Sequence, residues 1–368
     1  MSQKQRLGIA VVLVALLAGL AALFGHQRAP ESGTGAAGPW LAGLKEGLGE
    51  VKRIDLKSGA LSSSLRREGE RWVLAEREGY SVDMERLADL LKELAAAKVL
   101  EQKTSKPEFY GRLGLEDIDK PGSKAVLVEI WRDDTAARWR VLVGNAAEGR
   151  SGRYLRLAGS PETWLVDRSP QAFADPGDWI DRKLLGLAFE RVAGVTRSLA
   201  DGSGFEAARP DAATPSLSVA SLPEGGRPRY DSVFDAAARA VLTAEAEDVR
   251  RASEELFSGT ALARNRIRFF DGLVLDIDAV KAGDANWVRI KASATGTGQA
   301  PVPATDAAVA AHKSGTPDVA AEAAAINARV QGWAFRVSDY IYGELAKRLD
   351  EYTESVKAEA GKTDDKPS

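Results

Sequence analysis

The chain has 368 residues, 44% of them hydrophobic and 28% charged, with a formal net charge of −3; that length predicts about two domains with enough apolar material for real cores. Cysteine is absent, which excludes disulfides and thiolate zinc sites. The acidic balance deepens once the basic Lys4, Arg6 and Arg28 of the first 28 residues are set aside, and it argues against a nucleic-acid partner.

Residues 1–6 precede an uncharged run of eighteen residues, Leu7 to Phe24. As a helix rising about 1.5 Å per residue, such a run spans roughly 27 Å, close to the hydrocarbon thickness of a bilayer. It is longer than the core of a secretory signal, and its exit through Leu23-Phe24-Gly25-His26 lacks a small-residue cleavage pattern, so it reads as a retained transmembrane anchor. Lys4 and Arg6 ahead of it, against Arg28 alone close behind, place residues 1–6 in the cytoplasm and the body outside. Ala15, Ala18, Gly19 and Ala22 form two small-xxx-small pairs, a candidate face for packing against another membrane helix. Residues 25–45, rich in Gly and Pro, read as a linker.

From Val51 the texture becomes that of short strands. Val51 to Leu56, Ser62 to Arg67 and Arg71 to Leu74 form a meander around Gly59 and Gly69. Asp83 caps a helix with Leu87, Leu90, Leu91 and Leu94 along one face. After an aromatic turn at Pro107–Leu115, a hairpin joins Ala125–Trp131 to Trp139–Val143, and a second joins Arg153–Leu157 to Thr163–Val166. The plan then repeats: Val192–Leu199 and Gly204–Ala208 answer the opening strands, Tyr230 to Val241 answers the helix, and Leu273–Val280 with Trp287–Ala292 answers the hairpin. Trp139 and Trp287 take equivalent places in that alignment. The expectation is an α+β fold: an N-terminal transmembrane helix at 7–24, then two tandem repeats, 46–190 and 191–356, each an antiparallel meander and hairpin sheet with a packed helix. A flexible insertion is expected at 293–325 and a disordered tail at 357–368, where large apolar residues are scarce.

Chemistry is sparse. The two histidines, His26 and His312, fall beside the apolar run and inside the insertion, where general acid–base work has no cleft. Asp276 and Asp278 share one strand face and could flank a sugar or a cation, although a solvated hairpin face explains them as well. Trp131, opposite in pleat to Val128 and Ile130, is the tryptophan to inspect for an exposed binding face. No G-x-S-x-G elbow and no nucleotide-binding glycine fingerprint occurs. No catalytic residue, metal site or cofactor is predicted.

The segments VKRIDL (51–56), GERWVL (69–74), LADLLKELAAAKVL (87–100), FYGRLGLED (109–117), RWRVLVG (138–144), DGLVLDI (271–277) and NWVRIKA (286–292), behind one apolar N-terminal run, resemble a bacterial envelope family. It is the domain of unknown function 4340 family, sometimes labelled a gliding-motility or ABC-transport auxiliary protein. The resemblance implies a single-pass protein of the bacterial inner membrane with a periplasmic body. It further implies an accessory role beside an ABC-type permease or another anchored envelope protein; with no catalytic residue set in the chain the expectation is a non-enzymatic protein-binding subunit, and the alternative is a module that binds envelope glycan or peptidoglycan through an exposed tryptophan or the Asp276 and Asp278 face.

Overall fold

The computed structural model describes residues 39–222, 224–258, 262–295 and 318–355. The expected cytoplasmic segment, the anchor at 7–24, most of the 25–45 linker, much of the 293–325 insertion and the 357–368 tail lie outside the described residues. Among the described residues no helix is long and apolar enough to cross a membrane.

The α+β expectation is corrected. The described chain is mostly antiparallel β, with 19 strands in three sheets and helices of 13 residues at most. Two local causes account for the difference. The second expected helix delivers only α2, defined below, after one 3₁₀ turn at Val233–Asp235. Strands such as Asp248–Arg251 and Ala263–Phe269 carry so many charged residues that their apolar signal is weak, and Val99–Gln102 is a short strand exposed along its whole length.

The chain divides into two compact units at Asp181 and Arg182. The first contains β1 (Arg53–Ser58), β2 (Leu61–Glu68), β3 (Arg71–Leu74), β4 (Tyr80–Ser81), α1 (Met84–Ala96), β5 (Val99–Gln102), β6 (Val126–Trp131), β7 (Ala137–Ala146), β8 (Arg153–Leu157) and β9 (Thr163–Val166). Its single sheet runs β4-β3-β2-β1-β6-β7-β8-β9-β5. Alternation in β1 sets the register: Ile54 lies opposite Leu65 on one side and Ile130 on the other, and Leu56 opposite Val128. Opposed side chains share a face, and these are fully buried. The intervening Asp55, Lys57, Glu129 and Trp131 point to the second face. Asp83 caps α1 by accepting from the Arg86 amide at 3.0 Å, which satisfies one of the helix's orphan donors; Leu87, Leu90 and Leu94 are its buried side.

The loop between β5 and β6 folds back over one end of the second face. Tyr110 and Leu115 pack there with Ala125, Leu127 and Leu142. Two glycines permit the approach: a Cβ on Gly144 of β7 would run into the Leu113 carbonyl, and one on Gly114 into the Asn145 side chain. Gly114 also has φ +66, a left-handed conformation that favours glycine.

The second unit contains β10 (Val192–Leu199), β11 (Gly204–Ala208), β12 (Ser218–Val219), β13 (Gly226–Pro228), α2 (Ala236–Leu242), β14 (Asp248–Arg251), β15 (Ala263–Phe269), β16 (Leu273–Ala282), β17 (Ala285–Ala294), α3 (Val319–Val330), β18 (Trp333–Val337), α4 (Asp339–Ala346) and β19 (Thr353–Ser355). Its main sheet runs β12-β11-β10-β15-β16-β17-β18-β14, and β13 pairs with β19 separately. Strand for strand this is the order of the first sheet without β4. The loop from β14 to β15 even repeats the folded-back cover, with Phe257 and Leu262 packed on Val280, Trp287 and Ala334. The shared order shifts the internal alignment by one strand: the partner of the β6–β7 hairpin is β15–β16. Trp139, on β7, and Trp287, on β17, therefore do not correspond.

Two polar devices complete the second unit. β17 pairs with β18 only over Asn286–Val288. Further along, the Asn327 side chain of α3 takes the neighbour's place: the Ala292 amide donates to its Oδ1 and its Nδ2 donates to the Ala292 carbonyl, both at 2.8 Å. Arg191 forks onto Glu322 of α3 at 2.8 and 2.6 Å and reaches Asp271 at 2.7 Å; the Glu322 bonds foremost hold its pKa above the ordinary arginine value. Arg197, on β10, is only 1% exposed. It donates to Asn265 Oδ1 and the Lys347 carbonyl at 2.7 Å and to the Tyr352 hydroxyl at 3.1 Å, among Phe205, Phe234 and Tyr352, whose rings lie 5.3–6.0 Å apart. Burial lowers its pKa from the ordinary value, and its Nη2 has no hydrogen-bond partner.

Two outcomes are expected from this packing. R197A leaves a cavity and takes the donor away from the buried Asn265 and Tyr352 and from the Lys347 carbonyl, so chemical denaturation will show the second unit destabilised by about 3 kcal/mol or more, with the first unaffected. In the first unit Glu129 is buried. Burial alone would raise its pKa, but hydrogen bonds from Lys57 and Arg140, each at 2.8 Å, hold it below the ordinary value of 4.5. Its contribution is therefore complete above about pH 4.5 and is lost as pH falls through the lower folded value. E129Q will cost about 1 to 2 kcal/mol at neutral pH and converge with the parent in strong acid, as a pH series of urea unfolding curves will show.

Candidate functional site

The small-residue face of Ala15, Ala18, Gly19 and Ala22 lies outside the described residues. Trp131 is half-buried, with the Arg53 guanidinium 3.9 Å from its ring centre. A ring face covered by a cation in this way is not open for stacking on a ligand.

Asp276 and Asp278 do share a face of β16, between β15 and β17. Register places Arg266 and Lys291 beside Asp276, and Arg264 and Arg289 beside Asp278. Asp276 Oδ1 accepts from Arg266 Nε at 2.7 Å, Asp278 Oδ2 from Arg289 Nε at 2.8 Å, and Arg289 Nη1 donates onward to Glu254 at 2.7 Å. Arg268 pairs with Glu206 further along. The two carboxylates are parts of a cross-strand lattice of opposite charges and not a converging pair. Among the described residues no group of three or more His, Asp or Glu is placed to hold a metal ion.

Two concave sites of the first unit carry charged side chains. A groove of about 560 Å³ runs beside α1, lined by Asp83, Glu85, Asp89, Glu93, Arg86 and Phe173. Glu93 is engaged by the Ser169 amide at 3.0 Å, and the Arg86 guanidinium lies 5.2 Å from the Phe173 ring centre.

A second pocket, of about 350 Å³, lies where the folded-back loop meets the β8–β9 turn. Its inner wall is Arg156 of β8, 3% exposed. Arg156 donates through Nε to the Leu115 carbonyl and through Nη1 to the Ser160 carbonyl, both at 3.1 Å, and through Nη2 to Asp117 Oδ1 at 2.5 Å. The Tyr110 ring centre is 4.6 Å from the guanidinium, and the Tyr110 hydroxyl donates to the Pro161 carbonyl at 2.7 Å; burial raises the Tyr110 pKa. Lys120, paired with Glu116, stands at the same pocket. Sequence reasoning did not identify Arg156, because two of its three partners, Asp117 and Leu115, lie 39 and 41 residues away. The local sign is an arginine adjacent to the buried Leu155 within a short strand, itself buried.

The family model described as a domain of unknown function (DUF4340) matches residues 72–266, more than half of the chain. No curated protein and no solved structure matches. The matched span begins in β3 and ends in β15, so it omits β1 and β2 of the first sheet and β16 to β18 of the second. Fragments 39–181 and 182–355 are therefore expected to unfold cooperatively when expressed singly. Fragment 72–266, without the central strand β1, is expected to show no cooperative transition by circular dichroism.

Proposed function

We propose that this chain, which belongs to the domain of unknown function family DUF4340, is a non-enzymatic accessory protein of a bacterial envelope transport system. Its body is held on the extracytoplasmic side of the inner membrane and binds another protein, the permease of an ABC-type transporter or a second anchored envelope protein. The observation that carries this reading is the state of Asp276 and Asp278, each hydrogen-bonded to an arginine on a neighbouring strand. Carboxylates committed in this way make a fixed pattern of charge across the sheet face, which serves recognition and register in protein association. The uncharged run Leu7 to Phe24 supports the placement at a membrane. Glycan binding is the less favoured reading, because Arg53 covers the Trp131 ring that a sugar would need.

Affinity capture of the full chain from membranes in mild detergent is expected to recover a permease or a second anchored envelope protein in near-stoichiometric amount by mass spectrometry. Recovery of the chain alone would count against the proposal. A reporter joined after Ser368 is expected to be active only outside the cytoplasm; cytoplasmic activity would overturn the placement.

A further inference from the structure

We infer that the pocket around Arg156 receives a carboxylate presented by a partner polypeptide, and that Asp117 occupies it as an internal stand-in. A guanidinium taken out of water needs hydrogen-bond acceptors, and the strongest pairing it can make is a bidentate one with a carboxylate. Arg156 has only a single contact of this kind, from Nη2 to Asp117 Oδ1. The two halves of the pair are unequal. The Arg156 side chain is 4% exposed and its partner's is 67% exposed. The cation is thus fixed in the fold, while the anion lies in water and can leave at small cost.

The other nitrogens of Arg156 account for the fixed half. Nε and Nη1 are held by the Leu115 and Ser160 carbonyls, which orients the guanidinium plane with Nη2 toward Asp117. Around it the pocket has the walls that a short peptide end requires: the Tyr110 ring with Pro107 and Pro161, residues that need little ordering on binding. A second cation, Lys120, 59% exposed, stands at the pocket and is likewise paired internally, with Glu116. The two internal acids are consecutive residues, so one displacement of residues 116–117 uncovers both cations. The complementary ligand is a carboxylate next to an apolar group, from a chain terminus or from an Asp or Glu side chain.

The inference rests on the protein-binding reading only for the source of the carboxylate. Its test uses small molecules, so its failure and the failure of membrane capture are separate results. Ligand-observed NMR titration of the full chain would compare N-acetylphenylalanine, which carries an α-carboxylate, N-acetylglutamate N-methylamide bearing only a side-chain carboxylate, and the neutral N-acetylphenylalaninamide. At least one acid is expected to bind and the neutral amide is not; the acid preferred identifies the source. D117A, a change at an exposed residue, is expected to tighten acid binding about five- to tenfold, because an internal occupant present roughly 90% of the time masks affinity by that factor. K120A is expected to weaken it. Acid affinity in D117A equal to or below that of the parent, equal binding of the neutral amide, or no acid binding to either protein would overturn the inference.

Discussion

In each sheet one long-range pairing joins two meanders, β1 with β6 in the first unit and β10 with β15 in the second, and another adds the edge strand, β5 on β9 and β14 on β18. On one side of the joining seam lies a meander completed early in the chain; on the other lies a meander that begins only after a helical segment and a folded-back loop. Ile54 opposite Ile130, and Val195 opposite Ile267, fix the seams. A slip of one residue would turn Ile54 and Leu56 of β1, or Ile267 of β15, toward the charged face and bring lysine or arginine into the core. Everything that gives the surface its chemistry inherits this register: Glu129 between Lys57 and Arg140, and the Asp276 and Asp278 rows with their arginines.

The charged faces and the buried arginines play different energetic parts. Exposed pairs such as Arg266 with Asp276 each contribute little, but their regular cross-strand spacing discourages other registers and other partners. Arg197 and Arg156 lie inside the units, where an unbonded guanidinium would be costly. Arg197 answers with neutral acceptors and aromatic rings. Arg156 answers with two carbonyls and one exposed carboxylate. That difference is why the first unit's arginine borders a pocket with chemical potential and the second unit's is a core residue.

Much of this organisation can be read from alternation alone. The β1–β3 meander, the Asp83-capped helix and the hairpins of the first unit announce themselves by apolar residues at period two or at helical spacing. The duplication is legible too, but its alignment slips by one strand because β15, Ala-Arg-Asn-Arg-Ile-Arg-Phe, spends its outward positions on arginine and offers small Ala263 and polar Asn265 inward. The Asp276 and Asp278 face follows from pleat. Its neutralisation does not, since the partner arginines come from flanking strands. Arg156 was hidden for the same reason: its pocket joins the 107–120 loop to the β8–β9 turn, and the carboxylate that pairs with it lies 39 residues away.

The Asn327 amide that mates with Ala292 has a consequence for how this fold can vary. The two sheets differ most between β17 and β18, where the first unit turns directly from β8 to β9 and the second inserts a long segment ending in α3. Because one side chain supplies both the donor and the acceptor that Ala292 lacks, the sheet margin is finished by the far end of the insertion and is indifferent to what precedes it. New sequence admitted between β17 and α3 need not disturb this margin so long as Asn327 keeps its pair with Ala292 and Glu322 keeps its fork with Arg191.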